Sequence, residues 1–292
     1  MNAHGIDISV WQDDDSTPQM FDPIRARKKG CSFVGIKVSQ GDWEDKDYTM
    51  NWRNCKNWLY RMPYHFLTWD VPPRKQAEIF WSLIEKDPGE LPLIADFEWW
   101  KVTPPDAMDR LYNFTYRLKQ LCDPLPRGVY TALTFWKEHG STAPYWKGLE
   151  LWLCDIAGAV DVPAPWESWT FHQYTFKLDG IAYGAESKDL DGDWYNGTLD
   201  QMISRYGLEA LHELEGIQPG KPEPKPGMRM KVIASTLNVR SGPATSYQVI
   251  RKLRIGDQVD VLGLDGSNVW VEVAPGEWAC YRNANGKYME IG

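Results

Sequence analysis

From residue 5 to residue 176, short apolar runs alternate with helical stretches, and few folds accept that order. The strand candidates are Gly5–Ser9, Phe33–Ser39, Pro63–Leu67, Leu91–Phe97, Gly128–Ala132, Glu150–Asp155 and Trp169–Phe176. Helix candidates lie between them at Asp22–Lys29, Tyr48–Leu59, Arg74–Lys86 and Pro105–Leu121. The last opens with Pro-Pro-Asp, a first-turn signal. Its Met108, Leu111, Phe114, Leu118 and Leu121 recur at three- and four-residue steps, which makes one buried face. Such alternation predicts an α/β fold with a parallel sheet. A TIM-like barrel is the preferred form, because acidic and polar residues gather at the C-terminal strand ends, where such barrels place their sites.

The pattern stops at Gly216-Ile217-Gln218-Pro219-Gly220-Lys221-Pro222-Glu223-Pro224-Lys225-Pro226-Gly227. Proline alternating with charge favours an extended spacer and builds no core. The charge changes sign there as well. Residues 1–215 carry 22 Lys/Arg against 33 Asp/Glu, and residues 216–292 carry 10 against 7. Three segments are therefore predicted: a body at 1–215, a linker at 216–227 and a small domain at 228–292. In the last, Met230–Ala234, Val249–Leu253, Gln258–Leu264, Val269–Val273 and Glu277–Tyr281 read as short strands of a small all-β barrel.

Several classes are excluded or disfavoured. The 16 Trp and 13% aromatic residues are incompatible with a disordered chain. An acidic body disfavours nucleic acid as a partner. The apolar runs fall short of a membrane span, so no membrane insertion is expected. Cys31, Cys55, Cys122, Cys154 and Cys280 form no CxxC pair and read as reduced thiols, with no metal and no cofactor implied. The first residues lack a basic and apolar leader pattern, so synthesis in the cytoplasm without a standard export signal is expected.

Four carboxylates fall at or beside strand ends: Asp7, Asp96, Glu98 and Asp191. Strand side chains alternate faces with a period of two, so Asp96 and Glu98 point the same way. Two acids so close resist joint ionisation, and one should keep its proton near neutrality, as a general acid requires. Glycoside hydrolysis uses such carboxyls beside the scissile bond. Alone, the tripeptide also fits a strand-end Asp beside a solvated Glu. Trp11, Trp69, Trp99, Trp152 and Trp169 lie at or near strand ends, where an indole face suits a pyranose or packs a core. Trp52, Trp58 and Trp81 sit in helices and read as core. Tyr64, Tyr130, Gln173 and Tyr174 suit hydroxyls and acetamides. His65 lacks a nucleophile partner and reads as a hydrogen-bonded structural residue. Asp13-Asp14-Asp15 reads as a solvated loop.

These residues carry a resemblance. Gly5-Ile6-Asp7-Ile8-Ser9 with Trp11-Gln12, and Phe33-Val34-Gly35-Ile36-Lys37-Val38-Ser39-Gln40-Gly41, resemble the first two strand motifs of glycoside hydrolase family 25, the lysozyme-type muramidases. Tyr64-His65-Phe66, Asp96-x-Glu98, Val129-Tyr130-Thr131, Leu151-Trp152, Gln173-Tyr174 and Leu190-Asp191-Gly192-Asp193 follow in the family order, across residues 5–205. The resemblance implies a flattened, irregular β/α barrel that cleaves the β-1,4 bond after N-acetylmuramic acid. It implies Glu98 as general acid/base, Asp96 as partner to the substrate acetamide or an intermediate, and Asp7 and Asp191 as the rest of the acidic floor. Trp11, Lys37, Tyr64, Tyr130, Trp152, Gln173 and Tyr174 would line the groove. The chain departs from the family at His172, at Leu153-Cys154-Asp155-Ile156 and at Asp193, where Asn is common.

Thr236-Leu237-Asn238-Val239-Arg240-Ser241-Gly242-Pro243 and Ile255-Gly256-Asp257-Gln258-Val259-Asp260-Val261-Leu262, with Trp270 and Trp278, resemble a bacterial SH3-like (SH3b) domain. That resemblance implies binding to wall peptide or polymer. The combined expectation is a monomeric, endolysin-type peptidoglycan hydrolase released through a holin. The alternatives are an N-acetylglucosaminidase or chitinase-like enzyme, and a non-catalytic wall-binding protein.

Overall fold

The computed structural model of the chain describes residues 1–13, 20–158, 160–214, 227–265, 270–283 and 286–292. Residues 216–226 of the expected linker, and Asp14 and Asp15 of the acidic run, lie outside these.

The body contains β1 (His4–Ile8), α1 (Pro23–Lys28), β2 (Cys31–Gln40), β3 (Trp43–Glu44), α2 (Tyr48–Cys55), β4 (Tyr60–Phe66), α3 (Pro73–Ile84) and β5 (Leu93–Asp96). It continues with α4 (Ala107–Cys122), β6 (Arg127–Ala132), α5 (Leu133–His139), β7 (Glu150–Cys154), β8 (Phe171–Asp179), α6 (Gly180–Tyr183), β9 (Asp189–Tyr195) and α7 (Leu199–Tyr206). Strands β1, β2, β4, β5, β6, β7 and β8 pair in parallel in that order. Strand β9 runs antiparallel to β8 and to β1, and so closes an eight-stranded barrel. Only residues 180–188, which include the one-turn helix α6, separate β8 from β9, too little chain for the crossover that a parallel return needs. The stretch Asp189–Tyr195 looks like a loop in sequence because its acids and glycine mask a strand.

The two faces of the strands carry different cores. Phe33, Tyr60, Met62, Tyr64, Ile94, Trp152, Phe171 and Tyr195 fill the interior. Val34, Ile36, Val38, Ala95, Phe97, Val129, Leu151 and Leu153 face the helices. Every residue of β2 is buried, as expected of a strand covered on both sides. On α4, Leu111, Phe114 and Leu118 are buried and Met108 packs against them; Cys122, not Leu121, completes the stripe. Gly35 has no substitute: a Cβ there would lie 2.7 Å from the Trp152 ring and 2.9 Å from the Asp7 Cβ.

Residues 228–291 form their own apolar core from Met230, Val232, Leu237, Val239, Leu253, Leu264, Val271, Ala279, Tyr281 and Met289. Five strands pair in the order Val249–Arg254, Thr236–Arg240, Glu277–Cys280, Trp270–Ala274 and Gly263–Leu264. Three more pair in the order Gln258–Asp260, Arg229–Val232 and Met289–Ile291. The run expected as one strand over Gln258–Leu264 is broken after Asp260.

Candidate active site

The interior positions change character towards the C-terminal strand ends. There a cavity of about 170 Å³ is lined by Asp7, Ser9, Trp11, Gln12, Lys37, Tyr64, Phe66, Asp96, Glu98, Tyr130, Trp152, Gln173 and Asp191. The period of two explains the set: Asp7 and Ser9, Tyr64 and Phe66, and Asp96 and Glu98 share faces two by two. Phe97, between the last two, packs outward among Trp69, Phe135 and Trp136.

Every carboxyl of the cavity is shifted upward. Burial, with smaller pushes from Asp191 and Asp193, holds Asp7 well above the usual range. Burial and the neighbouring Glu98 do the same to Asp96. Burial moves Glu98 up to about 7, with Lys37 pulling it down and Asp191 pushing it up. Burial moves Asp191 up to about 6. The sequence pattern suggested repulsion within Asp96-x-Glu98 as the cause; desolvation is the larger one, and it acts on both. Among the described residues, Lys37 is the one ammonium that lines the cavity. Burial lowers its pKa, against the opposing pull of Asp96, Asp45 and Glu98.

Hydrogen bonds fix several walls. Tyr130 Oη donates to Gln173 Oε1 at 2.8 Å, and Gln173 Nε2 donates to Asp7 Oδ2 at 3.1 Å. Lys37 Nζ donates to Gln40 Oε1 at 2.7 Å and lies 5.0 Å from the centre of the Phe66 ring. Asp96 Oδ1 is buried and receives no donor among the described residues, which leaves it open to a donor from a bound molecule. Trp11 is 77% exposed and is carried on a turn capped by Ser9 and Gln12.

The expected site residues are mostly brought together, with qualifications. Trp152 is only 2% exposed, and its Nε1 donates to Asp193 Oδ1 at 2.8 Å, so its indole N–H is already engaged. Tyr174 points away from the cavity: its hydroxyl meets His4 Nε2 at 3.2 Å and its ring stacks on Trp194 at 4.9 Å. The adjacent Gln173 faces inward, so strand alternation forces Tyr174 out. Trp69, Trp99 and Trp169 do not line the cavity; Trp69 packs on Phe97 and Trp99 on Phe135. His65 is fully buried between Ser39 Oγ at 2.8 Å and Gln76 Oε1 at 3.0 Å, and burial lowers its pKa to about 4. Ser9, Gln12 and Phe66 were not anticipated as lining residues. For Ser9 and Phe66, the two-residue step from Asp7 and Tyr64 was the available signal.

Larger cavities exist but lack this chemistry. One of about 630 Å³ opens at the other end of the barrel, where Glu150 is paired with Arg205 at 2.7 Å and Glu90 with Arg61 at 2.6 Å.

Comparison with known proteins places both parts of the chain in families. The profile of Glycosyl hydrolases family 25 matches residues 6–180, and that of the Bacterial SH3 domain matches residues 235–288. The chain is similar in structure to a muramidase from Trichobolus zukalii, at 24% identity and TM-score 0.58, over 70% of this chain and 100% of the other. It is similar to a family 25 glycosyl hydrolase from Bacillus anthracis, at 21% identity and TM-score 0.61, over 70% and 94%. It is also similar to the CTP1L endolysin, at 20% identity and TM-score 0.56, over 70% and 69%. Comparison with curated protein sequences gives no match.

Proposed function

The chain belongs to glycosyl hydrolases family 25, and from that premise we propose that it is an endolysin-type lysozyme that cuts the β-1,4 bond between N-acetylmuramic acid and N-acetylglucosamine. The observation that carries this reading is the convergence of Asp7, Asp96, Glu98 and Asp191 on one cavity with a single ammonium, Lys37.

Glu98 is the general acid. With its pKa raised to about 7, a large share of it is protonated near neutrality, and its proton passes to the glycosidic oxygen as the bond breaks. Asp96, with its free Oδ1, orients the substrate acetamide. The acetamide oxygen then attacks the anomeric carbon, and Glu98, now a carboxylate, draws a proton from the water that opens the intermediate. Two displacements give net retention. Asp7 and Asp191 set the negative floor that favours positive charge at the anomeric carbon. Trp11, Tyr64, Tyr130 and Gln173 hold the sugar. The body (1–215), linker (216–227) and small domain (228–292) act as hydrolase, tether and wall-binding module, the last raising the local concentration of the first on an insoluble substrate. The endolysin likeness supports delivery through a holin.

The test is Glu98→Gln in the full chain. Turbidity loss of cell walls is expected to stop while the variant still sediments with them. Retained lysis removes Glu98 from its role, and loss of sedimentation removes the tethering role. Mass spectrometry of reduced muropeptides from the unmodified chain is expected to show N-acetylmuramic acid at the new reducing end. A new N-acetylglucosamine end would assign the other bond. A product NMR time course showing the inverted anomer first would exclude retention.

A further inference from the structure

Beneath the cavity lies a carboxyl that the proposed reaction does not use. Asp193 is fully buried on β9, in register with Gln173 of β8 and Gly5 of β1. Its Oδ1 accepts from Trp152 Nε1 at 2.8 Å, and its Oδ2 receives no N–H among the described residues. Asp193 stands two positions along β9 from Asp191, the register partner of Asp7 on β1, and the Asp193 and Asp7 carboxyls are in hydrogen-bonding contact. Asp7 in turn takes one N–H, from Gln173. Two carboxylates in contact repel, and neither neutral donor supplies compensating charge. Only a proton between them makes that contact a bond.

Among the described residues, the surroundings offer no compensating charge. The groups that act on this pair are Asp191 on β9, Cys31 on β2, Tyr64 on β4, Tyr130 on β6, Cys154 on β7 and Tyr174 on β8, all neutral or negative. Lys37, the nearby ammonium, acts on Asp96 and Glu98.

We propose that Asp7 and Asp193 share one proton, and that this acid–carboxylate pair positions Asp7 and carries one negative charge, not two, beneath the groove. The direction of both shifts agrees: burial moves Asp193 up to about 8 and holds Asp7 well above the usual range. Asp193 is thus a positioning residue, acting through Asp7 and through Trp152. Its effect on turnover rests on the proposed role of Asp7; the shared proton does not. When the proton leaves to solvent at alkaline pH, the pair goes from one negative charge to two, and the contact becomes repulsive.

The test is carboxyl NMR of the full chain with Asp labelled at Cγ, with Asp7 and Asp193 assigned through their backbone. The two resonances are expected to shift together with a midpoint above pH 6. Separate midpoints below pH 5 would overturn the proposal, whatever the enzyme cuts. The second readout is the alkaline limb of wall lysis. In the unmodified chain it is expected to steepen from a tenfold towards a hundredfold loss per pH unit. In Asp193→Asn, whose amide supplies the missing N–H, it should stay tenfold. Asp193→Leu, which strands both Trp152 Nε1 and Asp7, should lower kcat further than Asp193→Asn does. Identical limbs in Asp193→Asn and the unmodified chain would remove the positioning role.

Discussion

Buried charge is handled in opposite ways at the two ends of the barrel. At the N-terminal end of β4, Arg61 is fully buried, and all five of its N–H groups are spent, on Glu90, Asp87 and the Trp52 carbonyl. Its guanidinium lies 4.4 Å from the centre of the Trp52 ring. Burial alone would lower its pKa, but the bonds to Glu90 and Asp87 raise it. Burial pushes Asp87 up, but the bonds and charges of Arg61 and Lys56 together hold it below its ordinary value. At the C-terminal end, Asp7, Asp96, Glu98, Asp191 and Asp193 are all pushed upward around one ammonium. The first end is satisfied and stabilises. The second is left short of counter-charge, and in the proposed reaction that shortfall keeps protons available for chemistry.

Removing Glu98 should give the largest effect. Glu98→Gln is expected to lower wall lysis by about 10³-fold or more, read by turbidity. It should also raise the melting temperature at pH 7 and above. A carboxyl whose folded pKa is raised holds its proton in the folded state after the unfolded chain has lost it, so folding loses stability as pH rises. The gain is roughly 3 kcal/mol at most, for a rise from 4.5 to about 7. A variant both inactive and less stable would break the contrast between the two ends.

Removing the satisfied charge should do the reverse. Arg61→Ala strands Glu90 and part of Asp87, and should cost about 3–5 kcal/mol of stability in denaturant titrations, with kcat of the folded fraction unchanged. A small loss would show that this network is replaceable.

The third effect is on pH. With Glu98 at about 7 and Asp193 at about 8, lysis should fall about tenfold per unit above pH 7 before the shared proton adds its own loss. Melting temperature should decline between pH 4 and pH 8, because each raised carboxyl keeps its proton to a higher pH in the folded chain than in the unfolded one. A melting temperature that rises over that window would contradict the upward shifts.

The smallest effect belongs to the rim. Trp11→Ala removes an exposed indole at the mouth of the cavity. It should raise KM severalfold and leave stability within about 0.5 kcal/mol. An unchanged KM would show that sugar does not stack there.

Much of this was legible in the residues. The alternation of apolar runs marks seven strands of the barrel, because a pleat repeats every two residues whatever surrounds it. The same rule places Asp96 and Glu98 together. It also separates Gln173 from Tyr174, a consequence the residue types obscured, since a tyrosine beside a groove glutamine looks like a ligand contact. The eighth strand was hidden because its inward residues, Asp191 and Asp193, are acids, and an apolar pattern cannot flag a strand whose interior face is polar. Trp152 read as groove wall, yet its N–H is spent on Asp193, a pairing of residues 41 positions apart that only the closed barrel creates.

The sequence by itself determined which side chains exist, their two-residue spacing, and the break at residues 216–227, because these follow from covalent geometry and composition. Tertiary structure alone decided that β9 closes the barrel in the antiparallel sense, that Asp193 lies against Asp7, and that burial raises every one of these carboxyls. The physical reason is desolvation: a carboxyl has an ordinary pKa until the chain folds round it and takes the water away.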